Sequence, residues 1–201
     1  MRVFVDAQRA KTVITLWEGE EVRLEMFSLF LFTLKLVCSA FGCLLLLRAY
    51  MRFMCTPSND PLYAFCYSLT EWAVRSASTF IKRRGNIDWP SIFVCYLVAV
   101  LYQFFHWLVG SGSFGIFPFI LGSAVLVVYW AIELAMWIAL AFCIFSWVNP
   151  SGQIYRVTSF LSYPFLAPFK KFIPNWRNLD LSAIVFFILA NIALAVLAPL
   201  T

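Results

Sequence analysis

Charge is what this chain of 201 residues has least of: Asp, Glu, Lys and Arg make up only 12% of it, against about 25% in soluble proteins. With 63% hydrophobic residues, 19% aromatics and a mean hydropathy of +0.85, the chain reads as an integral membrane protein. It has one histidine, and its six cysteines (Cys38, Cys43, Cys55, Cys66, Cys95 and Cys143) never fall into a C-x-x-C spacing. Zinc and c-type haem motifs are thereby excluded, disulfide staples and metal sites are not expected, and no cofactor is called for. A thiol inside an apolar run behaves as a small hydrophobe. No glycine-rich phosphate loop and no Ser/His/Asp or Cys/His spacing is present, so an enzyme is not expected. Nucleic acid is not an expected partner either. A cleavable signal peptide is lacking as well: the first apolar run begins near Met26 and exceeds the roughly 7–15 residues of such a peptide, so it reads as a retained anchor.

What is present is length in the apolar runs. A bilayer core of about 30 Å needs about 20 residues of helix. Met26 to Leu47 and Ser91 to Val109 meet that length, and Ser182 to Pro199 meets it marginally. Gly115 to Val148 reads as a single span from about Phe119 to Trp147, because Pro118 and Gly110, Gly112, Gly115 and Gly122 break its front end. Four spans are expected. A repeat at a spacing of about 92 residues organises them: Tyr63 matches Tyr155, Leu69 matches Leu161, Phe80-Ile81 matches Phe172-Ile173, and Asn86 to Asp88 matches Asn178 to Asp180. Each half is one span, a basic amphipathic segment and a second span, so the two halves enter the membrane in the same direction. The fold expected is an all-α membrane protein with about four transmembrane helices in two parallel repeats, each with a basic interfacial segment. The divisions are an N-terminal extension at 1–25 that packs poorly, a first repeat at 26–109, a connector at 110–118 and a second repeat at 119–201. Met26 also reads as an alternative start.

Ten of the fifteen lysines and arginines flank or occupy the two amphipathic segments, which the positive-inside rule places in the cytoplasm. Arg2, Arg9, Lys11 and Arg23 in the extension pull the other way, accompanied by five acids. In the second segment Pro164, Pro168 and Pro174 are expected to deny a long regular helix, while Phe165, Phe169, Phe172 and Trp176 form one apolar side and leave Lys170, Lys171 and Arg177 to reach headgroups. The first segment opens at Asp60-Pro61, carries an apolar stripe of Leu62, Phe65, Cys66, Leu69, Ala73 and Phe80, and ends in Lys82, Arg83 and Arg84. These six basic residues are the candidate lipid or partner contacts; the alternative is that they only set topology. Asp88 and Asp180 precede spans and read as helix caps, with a paired acidic site as the alternative.

Taken together, "SWVNP" (Ser146 to Pro150), "YPFLAPFKKFIP" (Tyr163 to Pro174) and "LDLS" (Leu179 to Ser182) resemble the signature of the YggT family, also called YlmG-like. "LRAY" (Leu47 to Tyr50), "DPLY" (Asp60 to Tyr63) and "IDWP" (Ile87 to Pro90) echo it in the first half. The resemblance is to the two-repeat proteobacterial form and covers roughly Met26 to Leu200. It implies a small multi-pass protein of bacterial inner membranes or chloroplasts. Members of that family are linked to osmotic stress and potassium handling, to division or nucleoid organisation, and to haem attachment in a photosynthetic cytochrome, and no catalytic residues come with the pattern. The chain departs from it at Thr70-Glu71-Trp72, Ser76 and Lys82, where the family has prolines or their context, and at Ala183. The missing prolines imply a continuous helix in the first segment.

Ionisable groups inside a span are functional candidates because they are costly there. Lys35, His106 and Glu133 are such groups, with Asn191 as a polar neighbour. Counting depth at about 1.5 Å per residue pairs Glu133 with Asn191 about 13 Å in, and Lys35 with His106 about 22 Å in. Structural hydrogen bonding is one reading of this set and an ion path the other. Ala131, Ala135 and Ala139 form a small-residue face that suits either the interface between repeats or a homo-oligomer. The expected function is non-enzymatic: a multi-pass inner-membrane protein that organises or assembles partners at the cytoplasmic face. Its expected partners are anionic lipid headgroups and an unidentified membrane or cytoplasmic protein. Ion (potassium) homeostasis or an osmotic-stress role as a transporter or channel component is the alternative.

Overall fold

The computed structural model describes residues 2–55, 61–79, 81, 87–109, 115–170 and 181–200, with side chains described outside 2–25, 109, 116–118, 181 and 200. Six helices follow one another: α1 (Arg2–Phe53), α2 (Pro61–Ser78), α3 (Trp89–Val109), α4 (Ile116–Val148), α5 (Gln153–Lys170) and α6 (Leu181–Leu197), with a 3₁₀ turn at Ala198–Leu200. No β-strand occurs among the described residues. Three stretches, Met26–Phe53, Trp89–Leu108 and Phe119–Val148, are long and apolar enough to cross a membrane, while Ser182–Leu197 is apolar but shorter. Their outward faces are apolar too, with Phe32, Leu36, Leu101 and Ile192 exposed. That pattern is consistent with a helical membrane protein, in which exposed apolar side chains meet acyl chains.

Helix α1 is continuous over 52 residues, about 78 Å of helix, and crosses the 25/26 boundary without a break. At the start of α4, Pro118 is the third helical residue after Gly115. First-turn amides have no intrahelical acceptor, so a proline is tolerated there.

The two amphipathic segments differ from expectation in instructive ways. Helix α2 is continuous, as the missing prolines imply, and it buries Cys66, Thr70, Val74 and Ala77; of the anticipated stripe Cys66 is buried, Leu62 and Ala73 pack against the core, and Phe80 lies outside the described residues. Phe65, Leu69 and Trp72 are exposed. Small side chains let α2 approach the spans closely, and the bulky ones are displaced onto a second stripe that suits a lipid surface. Helix α5 runs through Pro164 and Pro168 to Lys170, against the expected break. The two prolines are four residues apart, so they share one face, and both are exposed. The missing amide bonds therefore fall on one outer side, while the opposite side is held by packing. There the Tyr50 hydroxyl donates to the Leu161 carbonyl at 2.7 Å, in the turn that Pro164 perturbs. Phe165 stacks on Tyr50 (5.3 Å) and on Phe186 (6.0 Å), and Phe169 meets Phe186 edge-on (5.9 Å). These aromatics thus look into the protein rather than out to the membrane. Phe172, Pro174, Trp176 and Asp180 lie outside the described residues.

A core of Leu45, Val74, Cys95, Ala99, Leu126 and Trp130 joins the first four helices. Its tightest point is Gly42 of α1 against Trp130 of α4: a Cβ on Gly42 would lie 2.4 Å from the indole Cε3. Only glycine lets the two helices approach so closely. A second cluster of Met51, Ile138, Val157 and Leu161 brings α5 under α1 and α4. In the small-residue face of α4, Ala135 and Ala139 are buried and Ala131 is exposed. Ala139 lines a cleft with Ala183 of α6, so that end of the face lies against another helix of the same half.

Candidate functional site

The most concentrated polar chemistry lies at the C-terminal end of α1. Arg48 is 1% exposed, although it sits on an apolar helix. Its Nε donates to Asp88 Oδ2 at 3.3 Å, its Nη1 to Thr70 Oγ1 at 3.0 Å and its Nη2 to Glu71 Oε2 at 2.8 Å. The guanidinium carbon also lies 4.3 Å from the ring centroid of Tyr67. One side chain therefore ties α1 to α2 and to the start of α3.

Each partner is positioned by its own helix. Thr70 donates its hydroxyl proton to the Cys66 carbonyl, one turn back, at 2.7 Å and so turns a lone pair to the arginine. Asp88 precedes α3 as expected of a cap, and its carbonyl accepts the Ser91 and Ile92 amides. Its carboxylate, however, accepts the Ser91 hydroxyl at 2.9 Å and Arg48, with the residue 1% exposed. A buried guanidinium is tolerable only when paired and hydrogen-bonded. Because arginine does not give up its proton in proteins, the cluster is a fixed clamp. Sequence reasoning counted Arg48 only among topology-setting charges and treated Thr70-Glu71 as a departure. The available signal was position, since Arg48 stands more than a turn inside the end of α1.

A second polar site lies between α1 and α4. The Ser39 hydroxyl donates to Glu133 Oε2 at 2.9 Å, and one turn further on the Cys43 thiol approaches the Trp130 carbonyl at 3.7 Å. Glu133 and Lys35 line the same groove, about 330 Å³ in volume, yet no ion pair forms between them. Asn191 is elsewhere: its amide donates to the Phe187 carbonyl at 2.8 Å and contacts Met136 Sδ at 3.4 Å. The layers expected from depth counting are thus rearranged. Glu133 pairs with Ser39 rather than Asn191, and Lys35 shares a groove with Glu133, while His106 lies on α3 beside Tyr102 (6.0 Å). Counting along each helix does not fix the direction of a side chain around it, and that direction decides these partners.

Of the basic candidates, Lys170 places Nζ 5.1 Å from the ring centroid of Phe142. Lys82, Arg83, Arg84, Lys171 and Arg177 lie outside the described residues. Among the described residues, no group of three His, Cys, Asp or Glu side chains is placed to hold a metal ion.

Comparison with known proteins meets this geometry at both halves. The model of the CCB3/YggT family matches twice, over residues 27–109 and 121–201, so each match holds one amphipathic helix and its two flanking apolar helices. The chain belongs to the CCB3/YggT family. Among curated relatives, the "Uncharacterized protein in proC 3'region" of Vibrio alginolyticus is 30% identical over 147 residues, covering 71% of this chain and 79% of the relative. The "Uncharacterized protein YggT" of Escherichia coli (strain K12) is 25% identical over 160 residues, covering 79% and 83%. No solved structure matches. The double match supports an internal repeat in this chain, with Arg48, Thr70, Glu71 and Asp88 in the first match and Phe142 and Lys170 in the second.

Proposed function

We propose that this CCB3/YggT protein is a non-enzymatic multi-pass protein of the bacterial inner membrane that organises or assembles partners at the cytoplasmic face. In this reading α6 serves as the fourth span, the two repeats insert in the same direction, and α2 and α5 lie on the cytoplasmic side, where ten of the fifteen basic residues gather. The basic residues Lys82 to Arg84, Lys170, Lys171 and Arg177 then meet anionic headgroups, each adding about 1 kcal/mol of attraction near a charged leaflet.

The observation that carries this reading is the Arg48 clamp. It fastens an amphipathic helix to two apolar ones through four polar contacts, and α2 is left with an exposed apolar stripe of Phe65, Leu69 and Trp72 beside exposed Arg75. A rigidly held surface of that kind suits display to a partner, because little ordering entropy remains to oppose binding. Two measurements test it. In a version without native thiols, probes at Ser78→Cys and Lys170→Cys should label from the same side of the membrane; labelling from opposite sides defeats the parallel arrangement. Photo-crosslinkers on the exposed face of α2, at Ser68 or Arg75, should trap a defined protein, and Arg48→Met should abolish that product. Ion homeostasis is the second reading and draws on Glu133. Potassium flux in reconstituted liposomes that disappears in Glu133→Gln would favour it over assembly.

A further inference from the structure

We infer that the groove between α1 and α4 is an interface for a second copy of this chain, closed by two reciprocal Lys35–Glu133 ion pairs. The inference is independent of the function proposed above. Lys35 is exposed on a span and has no hydrogen-bond or ion-pair partner among the described residues. An ammonium among acyl chains is costly, and pairing with an anion lowers that cost. The groove supplies the complementary group on its other wall: Glu133 is half-buried, and among the described residues its hydrogen bond is that of Oε2, which accepts from the Ser39 hydroxyl.

A face that carries a cation on one wall and an anion on the other is self-complementary under a two-fold axis, since residue i meets j while j meets i. Two copies inserted the same way share an axis along the membrane normal, so only residues at similar depth can meet. Lys35 is one turn from Ser39, which is bonded to Glu133, and that offset is about 6 Å along the axis. A lysine side chain spans it. Shape agrees with charge. Exposed Phe32, Leu36 and Trp137 form the lips of the groove, and its volume of about 330 Å³ gives apolar side chains of the second copy a place to seat.

The test is charge reversal on the full chain, read by native mass spectrometry from mild detergent and by disulfide cross-linking of Leu36→Cys in membranes. The unmodified chain is expected to be dimeric. Lys35→Glu and Glu133→Lys should each raise the dissociation constant at least tenfold. The double variant Lys35→Glu/Glu133→Lys should return it to within about threefold of the starting value, which also controls for folding. Monomers in both detergent and membranes, or single variants that dimerise as well as the double, overturn the proposal. So does a monomer that retains one phospholipid and loses it in Lys35→Glu, since the groove then belongs to lipid.

Discussion

The two repeats solve one packing problem with opposite chemistry. In the first, α1, α2 and α3 converge on Arg48, whose guanidinium is satisfied by Asp88, Glu71, Thr70 and the face of Tyr67. In the second, α4, α5 and α6 converge on Phe142, which is buried with Leu166 and Ala183. Phe142 stacks on Tyr155 at 5.7 Å and has Lys170 over its ring. At the repeat spacing, Leu166 and Ala183 answer to Val74 and Ser91 of the first half. Among the described residues the junction is ionic and directional in the first half, and in the second it is built on aromatic and aliphatic contacts with one ammonium over a ring. Apolar contacts tolerate a change of shape, whereas a buried charge tolerates no loss of a partner.

The largest effect should come from Arg48→Met. Removing one member of a buried ion pair typically costs about 3–5 kcal/mol, and here two carboxylates are left behind. The full chain should accumulate poorly and melt well below the parent in a fluorescence-detected detergent assay. Adding Glu71→Gln and Asp88→Leu to Arg48→Met should recover much of that loss, because replacing a whole ionic group with apolar neighbours is often close to neutral. If the triple variant is as unstable as the single, the contrast between the halves does not rest on charge.

Gly42→Val tests the boundary between the halves. A Cβ there meets Trp130 at 2.4 Å, so a penalty of roughly 1–3 kcal/mol from overpacking is expected. Trp130→Leu in the same chain should relieve part of it, read as recovered melting temperature. A Gly42→Val variant that melts like the parent would mean that the α1–α4 crossing is looser than drawn. Phe142→Leu should cost less, about 1–2 kcal/mol, because it loses some volume and the ring contacts with Tyr155 and Lys170 but strands no buried charge. A cost equal to that of Arg48→Met would erase the proposed asymmetry.

The smallest effects concern single contacts. Tyr50→Phe keeps the stacking on Phe165 but loses the hydroxyl that serves the Leu161 carbonyl, at about 0.5–1.5 kcal/mol. Cys66, at the centre of the buried face of α2, is 1% exposed, and burial pushes its thiol above the ordinary range. Maleimide at neutral pH should therefore spare Cys66 in folded protein while it labels exposed Cys55. Cys66 should become reactive in Arg48→Met if the clamp is what holds α2 down. Equal labelling of Cys66 in parent and variant would separate that helix from the arginine.

Composition and periodicity by themselves determined the all-helical membrane class, the apolar stretches, the repeat and the placing of basic residues around α2 and α5, because each depends on how many apolar residues stand in a row and where charges interrupt them. The YggT resemblance was legible in Ser146 to Pro150, Tyr163 to Pro174 and Leu179 to Ser182, which stand close together in the chain, with weaker echoes in the first half. Tertiary structure alone decided the rest. Arg48, Thr70, Glu71 and Asp88 are separated by up to forty residues, so the place of Arg48 inside α1 hints at burial but does not name the residues that gather round it. Glu133 turned to Ser39 rather than Asn191, and α5 kept its helix through Pro164 and Pro168, because those outcomes depend on which helix lies opposite. Chain order sets the depth of a residue in a helix, but only the packed neighbours set the direction in which its side chain finds a partner.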